Sequence, residues 1–522
     1  MSAMSVLNQG SLTSIVRTNH EKKEKADTFG AEAPHAESAA HSGSERQQRQ
    51  GRINPRGQAR LAPPQLCTIM KLSLHRNFVL RQSKSESLLQ DLQTGANYPL
   101  ESDQAEFIRF LDGTKTRSEI LGDYDEGSHI VITNFLEKLS GLGAISTDGL
   151  ERVFYEPVPD LRLEAVHFEP SGVCNMRCAH CYQGSHVKNS LTLPESFVER
   201  VLDEMLRLQV SSVSVSGGEP LMMPNLEHLL RNIECRDIYI SALFTNGLLI
   251  DDKTIRMLSS LRKKPPLYIS LDSLPGEQFM FRGFPSKTAK RALEKIVAGI
   301  SSLVQAGFRV TVNTVVNAEN INILERMHDL MLSIGVFNWR LGFPKMTPNF
   351  KDHLQFSADW NMIAERCFSI LQKHFEKGQP FPLQVEYMYR DVLFEQGLPN
   401  LTPEDYVCDY EGRRHEVNIK PNGDVVSCAY CNELPIGNIG KSSLWDIWYS
   451  AEMQKVKSVK IKGVRDCQGC ELIPLCGTGC RANAFFLHGD FFNSRDDYAC
   501  HAVKFFRDRV RSFLQKQGVI KN

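Results

Sequence analysis

Between residues 160 and 345, short apolar runs alternate with stretches in which apolar residues recur every three or four positions. The runs predict strands at 165–168, 212–216, 238–244, 267–271, 310–316 and 337–341. The helical stretches include one through Phe197, Val201, Leu202, Met205 and Leu208, one at 288–306 closed by Gly307, and one at 321–334 closed by Gly335. Thr192 and Glu195 have the spacing of a capping box before the first of these helices. Regular strand–helix alternation argues for a parallel sheet in an α/β fold. Right-handed crossovers curl such a sheet into a partial (β/α)6 TIM-like barrel, with functional groups at the C-terminal ends of the strands.

On either side of this region the pattern changes. Residues 1–69 predict a disordered tail, because 35–57 is rich in Ser, Gln, Arg, Gly and Ala and nearly free of large apolar residues. Met70 opens the first globular pattern and is a second candidate start. Within 70–157 a strand at 88–92 runs into a turn at 94–97. Helices follow at 102–111 with Ser102 as cap, near 117–122, and at 129–141 with Ile132, Phe135, Leu136 and Leu139 on one face. Segments 144–146 and 153–155 read as a final hairpin. Residues 346–405 read as linker and bridging helices, one of them 358–375 with Ile363, Cys367, Ile370 and Leu371 on its apolar face. Residues 406–505 form a cysteine-rich region, opened by a hairpin with an Asn422-Gly423 turn that delivers Cys428 at a strand end. A C-terminal helix is expected over 506–522.

Composition narrows the function classes. The charge is balanced at +0, with 61 basic and 61 acidic residues and no long basic run, so nucleic-acid binding finds no support. No apolar run approaches the ~20 residues of a membrane span. The N-terminus lacks a charged start followed by an apolar core, so no secretory signal is expected. Fourteen cysteines without such a signal argue for thiolate ligands in a reducing, cytoplasmic setting.

The cysteines carry the chemistry. Cys174, Cys178 and Cys181 are spaced C-x3-C-x2-C just after the first barrel strand. Three thiolates on one short loop hold three irons of a cubic cluster, which normally takes four, and leave one iron open. Zinc sites usually bring paired ligands from two places, which this loop does not. Ser216-Gly217-Gly218-Glu219-Pro220 follows strand two, Thr245-Asn246-Gly247 strand three, and Ser270, Asp272 and Ser273 strand four, while Asn313 lies within strand five and Arg340 near strand six. Glycines admit close backbone approach to a ligand. His180 and His186 read as loop scaffolding. A second series comprises Cys408, Gly423, Cys428, then Cys467-x2-Cys470-x5-Cys476-x3-Cys480 and Cys500.

The first loop, with Tyr182 after its third cysteine and the Gly-Gly-Glu-Pro segment one strand later, resembles the radical S-adenosylmethionine (radical SAM) superfamily. The second series resembles the SPASM auxiliary iron–sulfur domain. The hairpin-plus-three-helices order at 70–157 resembles the winged-helix peptide-recognition element of ribosomal-peptide maturation enzymes. These resemblances imply that Cys174, Cys178 and Cys181 ligate a [4Fe–4S] cluster whose open iron binds S-adenosylmethionine, and that one electron cleaves the cofactor to a 5′-deoxyadenosyl radical. By the same resemblance Tyr182 borders the adenine, Gly217, Gly218 and Glu219 receive the methionine amino group, and Ser270, Asp272 and Asn313 contact ribose or carboxylate. Two further [4Fe–4S] clusters are implied, one on Cys408, Cys428 and Cys480, the other on Cys467, Cys470, Cys476 and Cys500. Cys431 either completes the former or leaves one of its irons open. The implied partners are a peptide or protein substrate held through a leader segment and an electron donor such as flavodoxin or ferredoxin. The expected activity is therefore peptide maturation. A small-molecule radical SAM oxidoreductase is one alternative. A sulfatase-maturase-like oxidase is the other, and it is weakened because Cys428 is followed by Ala429 and Tyr430 where that class has an Asp.

Overall fold

A computed structural model describes residues 70–184, 191–390, 398–409 and 413–520. The expected tail at 1–69 and His186 lie outside these residues. The described residues divide into two compact units, one within 70–76 and 100–154, the other within 77–99 and 155–520.

In the first unit, β1 (Lys71–Leu74) pairs antiparallel with β5 (Asp112–Thr116) on one side and β6 (Ile145–Ser146) on the other. Helices Ser102–Ile108, Arg117–Gly122 and His129–Gly141 supply its core, including Phe107, Ile120, Phe135 and Leu139, all nearly inaccessible to solvent. Phe107 and Phe135 meet edge to face with centroids 5.7 Å apart. The first helix is capped one residue earlier than expected: Glu101 precedes it, and its N–H donates to Gln104 Oε1 at 3.1 Å. The expected 144–146/153–155 hairpin does not form. β6 is taken by β1, and Val153 is 81% exposed.

In the second unit, β2 (Phe78–Gln82), β3 (Ser87–Asp91) and β4 (Asn97–Leu100) form a separate meander. The N–H of Gln82 donates to Gln209 Oε1 (2.8 Å) and Gln90 Nε2 to the carbonyl of Ser211 (3.1 Å), so this meander is fastened to the barrel. The barrel strands are β7 (Ala165–Phe168), β8 (Ser212–Val215), β9 (Tyr239–Thr245), β10 (Leu267–Ser270), β11 (Val310–Val315) and β12 (Asn338–Gly342), each parallel to its neighbour in chain order. Intervening helices bury one stripe each: Val198, Val201, Leu202 and Met205 in Glu195–Arg207, and Ala292, Leu293, Ile296, Ile300 and Leu303 in Ser286–Gln305.

The sheet runs further than the predicted barrel. Residues assigned to the linker supply β13 (Leu383–Val385), parallel to β12, and β14 (Tyr389–Arg390), antiparallel to β13. At the other edge β15 (Glu416–Ile419) lies parallel to β7, then turns through Lys420–Gly423 into β16 (Asp424–Val426), which pairs with β17 (Gly437–Asn438). Among the described residues these strands make one eleven-stranded sheet. Two other expectations change. Thr192 does not cap the helix at Glu195: its hydroxyl bonds Ser171 Oγ at 2.8 Å and fastens the start of the cysteine loop. The C-terminal helix does not begin at 506: it runs from Asp497–Phe505 through a π-helical turn, Phe506–Val510, into Arg511–Lys516.

Candidate active site

The barrel strands are apolar toward the helices and polar toward the axis. Leu267 and Ile269 are buried, whereas Tyr268 and Ser270 of the same strand line a cavity of about 760 Å³. Ser214 and Ser216, Asn313 and Arg340 join them there. Ser270 is paired in register with Asn313, and Asn313 with Arg340, so these three form one row across β10, β11 and β12.

The Cys174–Cys181 loop closes one end of this cavity, and all three cysteines are on its wall. The loop is held by the segment after β8. The N–H groups of Gly218 and Glu219 donate to the carbonyls of Ser171 and Val173, each at 2.8 Å. Gly217 has φ +128°, and a Cβ there would lie 2.2 Å from the Ser171 oxygen; a Cβ on Gly218 would lie 2.2 Å from that of Val173. Only glycine allows the two segments to lie this close. On the opposite side Ala179 N–H donates to Phe281 O (2.9 Å), Asn349 Nδ2 to Ala179 O (2.8 Å), and the His180 ring stacks on Phe281 at 4.2 Å. His180 thus packs into the support of the loop and also borders the cavity.

The thiols are partly desolvated. Burial pushes the Cys178 thiol up to about 12 and that of Cys174 upward, so a cationic group is needed to hold them as thiolates. Arg282 supplies one positive neighbour: its Nη1 donates to Cys178 Sγ at 3.6 Å while its Nε pairs with Asp272. Among the described residues no three His, Cys, Asp or Glu side chains converge closely enough for a single metal ion.

Two residues expected to touch the cofactor turn away from the cavity. The Glu219 carboxylate accepts from Thr245 Oγ1 (2.7 Å), Asn246 N (2.7 Å) and Leu221 N (3.0 Å), and burial raises its pKa. Asp272 accepts from Val315 N (2.6 Å) and pairs with Arg282. Both brace the site from behind. Gly217, Gly218, Tyr182, Ser270 and Asn313 do line it.

The far wall is cysteine-rich as well, with Cys408, Cys428, Cys476 and Cys480 on the same cavity. A model of the radical SAM superfamily matches residues 168–331, and one of the SPASM iron–sulfur cluster-binding domain matches residues 408–471. The chain carries a radical SAM domain and a SPASM domain. Its cofactors are accordingly S-adenosylmethionine and [4Fe–4S] clusters. Among curated proteins it is similar to the AdoMet-dependent heme synthase of Methanosarcina barkeri, 26% identical and covering 62% of this chain and 93% of that protein. It is also similar to the PqqA peptide cyclase of Granulibacter bethesdensis, 23% identical over 64% and 85%. Streptococcus suis SuiB, solved with its precursor peptide SuiA, shares the fold with a TM-score of 0.61 at 16% identity, covering 82% of this chain and 99% of SuiB.

The cysteines of the SPASM region sort into two neighbourhoods. Cys428, Cys431 and Cys480 pack in one group of side chains, and the N–H of Cys431 donates to the carbonyl of Cys428 at 2.9 Å. Cys467, Cys470, Cys476 and Cys500 neighbour one another.

Sequence reasoning missed the charged groups between the two cysteine-rich walls. Glu169, just past β7 and wholly buried, accepts from Tyr182 Oη (2.8 Å) and from Lys420 Nζ (3.0 Å), which also donates to Ala429 O (2.7 Å) beside Cys428. Lys345 pairs with Glu386 and lies 3.4 Å from Tyr387 Oη. Tyr387, at φ +61°, donates to Asp496 Oδ2 (2.9 Å), and that oxygen also accepts from Cys480 N–H (2.9 Å). The alternating Leu383-Gln-Val-Glu-Tyr387 was the available signal for this strand.

Proposed function

We propose that this radical SAM enzyme modifies a peptide or protein, in the maturation of a ribosomally made precursor. The observation that carries the reading is the single cavity with the Cys174–Cys181 loop on one wall and SPASM cysteines on the other. Its volume of about 760 Å³ suits a bound cofactor and one or two substrate side chains. A peptide-bound SuiB and a PqqA peptide cyclase among the similar proteins support the substrate class.

Cys174, Cys178 and Cys181 would hold the first cluster, and the carbonyls beside Gly217 and Gly218 the amino group of S-adenosylmethionine. Ser270 and Asn313, adjacent in register, would meet its ribose or carboxylate, and Tyr182 its adenine. Bound there, cluster and cofactor supply reductive cleavage and removal of a hydrogen atom from the substrate. The chain's own task is to fix these groups and keep water out: Glu219 and Asp272 brace the strand ends, and the barrel wall shields the cavity. Residues 70–154 would receive the leader of the substrate by strand addition. Two auxiliary clusters would stand on the far wall. The heme synthase likeness favours a second reading, oxidation of a small molecule in the same cavity.

The test is anaerobic incubation of the reconstituted chain with reductant, S-adenosylmethionine and the short peptides encoded beside it. The peptide reading expects 5′-deoxyadenosine and a mass change in a peptide bearing its leader, and far less on the leaderless form. Cofactor cleavage with no change in any peptide, but with turnover of a small molecule, would replace it by the second reading. Absence of 5′-deoxyadenosine would overturn both.

A further inference from the structure

Resting on the two-auxiliary-cluster reading above, we infer that Cys431 is the fourth ligand of the cluster held by Cys408, Cys428 and Cys480, so that this cluster has no iron open to substrate. Cys431 lies three residues after Cys428, outside the Cys408, Cys428, Cys467, Cys470, Cys476, Cys480 and Cys500 series.

The local chain makes the assignment. β16 ends at Val426, and Cys428 opens a tight turn in which the N–H of Cys431 donates to the carbonyl of Cys428 at 2.9 Å. The turn brings Cys428 and Cys431 into one packed group of side chains that also contains Cys480. Cys431 is wholly inaccessible to solvent, with Cys428 and Cys480 packed in the same cluster of side chains. Cys408 arrives from a separate segment with φ +61°, a strained value for a residue with a Cβ. Cys408, Cys428 and Cys480 line the cavity whereas Cys431 does not, so the fourth thiol stands behind the other three.

A set of four thiolates saturates a [4Fe–4S] cluster. Substrate in the cavity is then held by side chains such as Lys345 and Tyr430, not by an auxiliary iron. The competing account makes Cys431 a small apolar residue packed with Ala482, Phe486 and Phe491.

The experiment uses the full chain with Cys174, Cys178 and Cys181 changed to Ala, reconstituted anaerobically, so that only auxiliary cysteines hold iron. Iron content, Mössbauer spectra and the electron paramagnetic resonance of the reduced protein are read with and without cyanide. We expect about eight irons per chain and a signal that cyanide does not alter. Adding Cys431→Ser or Cys431→Ala should lower the iron by at least about one per chain or make the signal respond to cyanide. A cyanide response while Cys431 is intact would overturn the assignment without any need for the variants to fold. So would Cys431→Ala that retains all its iron and an unchanged, unresponsive signal. Failure of the Cys431-bearing protein to hold any iron would overturn the auxiliary-cluster reading, and this inference with it.

Discussion

Lys420 Nζ lies 3.0 Å from Glu169 Oε2, and both side chains are buried. Glu169 follows the first barrel strand and Lys420 opens the turn of the SPASM hairpin, 251 residues later. The pair links Tyr182, beside the third cysteine of the first loop, to the carbonyl of Ala429, beside Cys428. Breaking one partner of a buried pair leaves an uncompensated charge and costs about 3–5 kcal/mol. Lys420→Met should lower stability in urea by that order, and Glu169→Gln combined with it should restore part of the loss.

The same pair sets an acid limit. Burial alone would raise the Glu169 pKa, but the Lys420 ammonium, the His167 ring 3.3 Å away and the hydrogen bond from Tyr182 hold it at about 2 against an ordinary 4.5. A depressed carboxylate stabilises the fold fully above its unfolded pKa, so this contribution is whole above pH 4.5 and is lost as pH falls toward 2. Acid unfolding followed by circular dichroism should shift to higher pH in Lys420→Met.

Gly218→Ala tests the close approach that places the cysteine loop. Its methyl would meet the Val173 oxygen at 2.2 Å, and backbone on both sides must move. Overpacking of this kind costs about 1–3 kcal/mol. The measurable result is a chain that folds but loses iron from the first site. Alanine at exposed Gly122, with nothing near its Cβ, should leave iron binding unchanged.

Arg282 donates to Cys178 Sγ and pairs with Asp272. Arg282→Met should therefore destabilise the fold by about 3–5 kcal/mol through the stranded Asp272. It should also lower the reduction potential of the first cluster, because a positive hydrogen-bond donor to a ligand sulfur favours the reduced state. Arg282→Lys should recover part of both. A redox titration monitored by electron paramagnetic resonance reads the second effect.

The two walls separate by activity. Cys174→Ala, Cys178→Ala or Cys181→Ala should abolish 5′-deoxyadenosine formation. Cys467→Ala or Cys476→Ala should lower iron content and peptide turnover while cofactor cleavage continues. Full peptide turnover by Cys476→Ala would remove the auxiliary site from the reaction.

The parts legible from sequence were those written in local pattern. The six barrel strands and the helix at His129–Gly141 follow from apolar spacing, and the cysteine loops from fixed intervals. What sequence could not show was pairing between distant single residues. Glu169, Arg282 and Lys420 are ordinary charged residues until the fold brings Glu169 to Lys420 and Arg282 to Asp272 and Cys178. Glu219 and Asp272 stood at the right strand ends, yet their carboxylates were captured by backbone N–H groups and Arg282, a matter of side-chain direction. Residues 383–389 were hidden in an apparent linker because the alternation at Leu383, Val385 and Tyr387 is only five residues long.

β15 pairs directly with β7, so the SPASM hairpin is a continuation of the barrel sheet. A chain cut before residue 416 would bare the whole hydrogen-bonding edge of β7, from Ala165 to Phe168, beside the cysteine loop. Such an edge is a template for pairing with another copy. Shortened versions of this protein should therefore be judged first by their tendency to aggregate, and only then by lost iron or turnover.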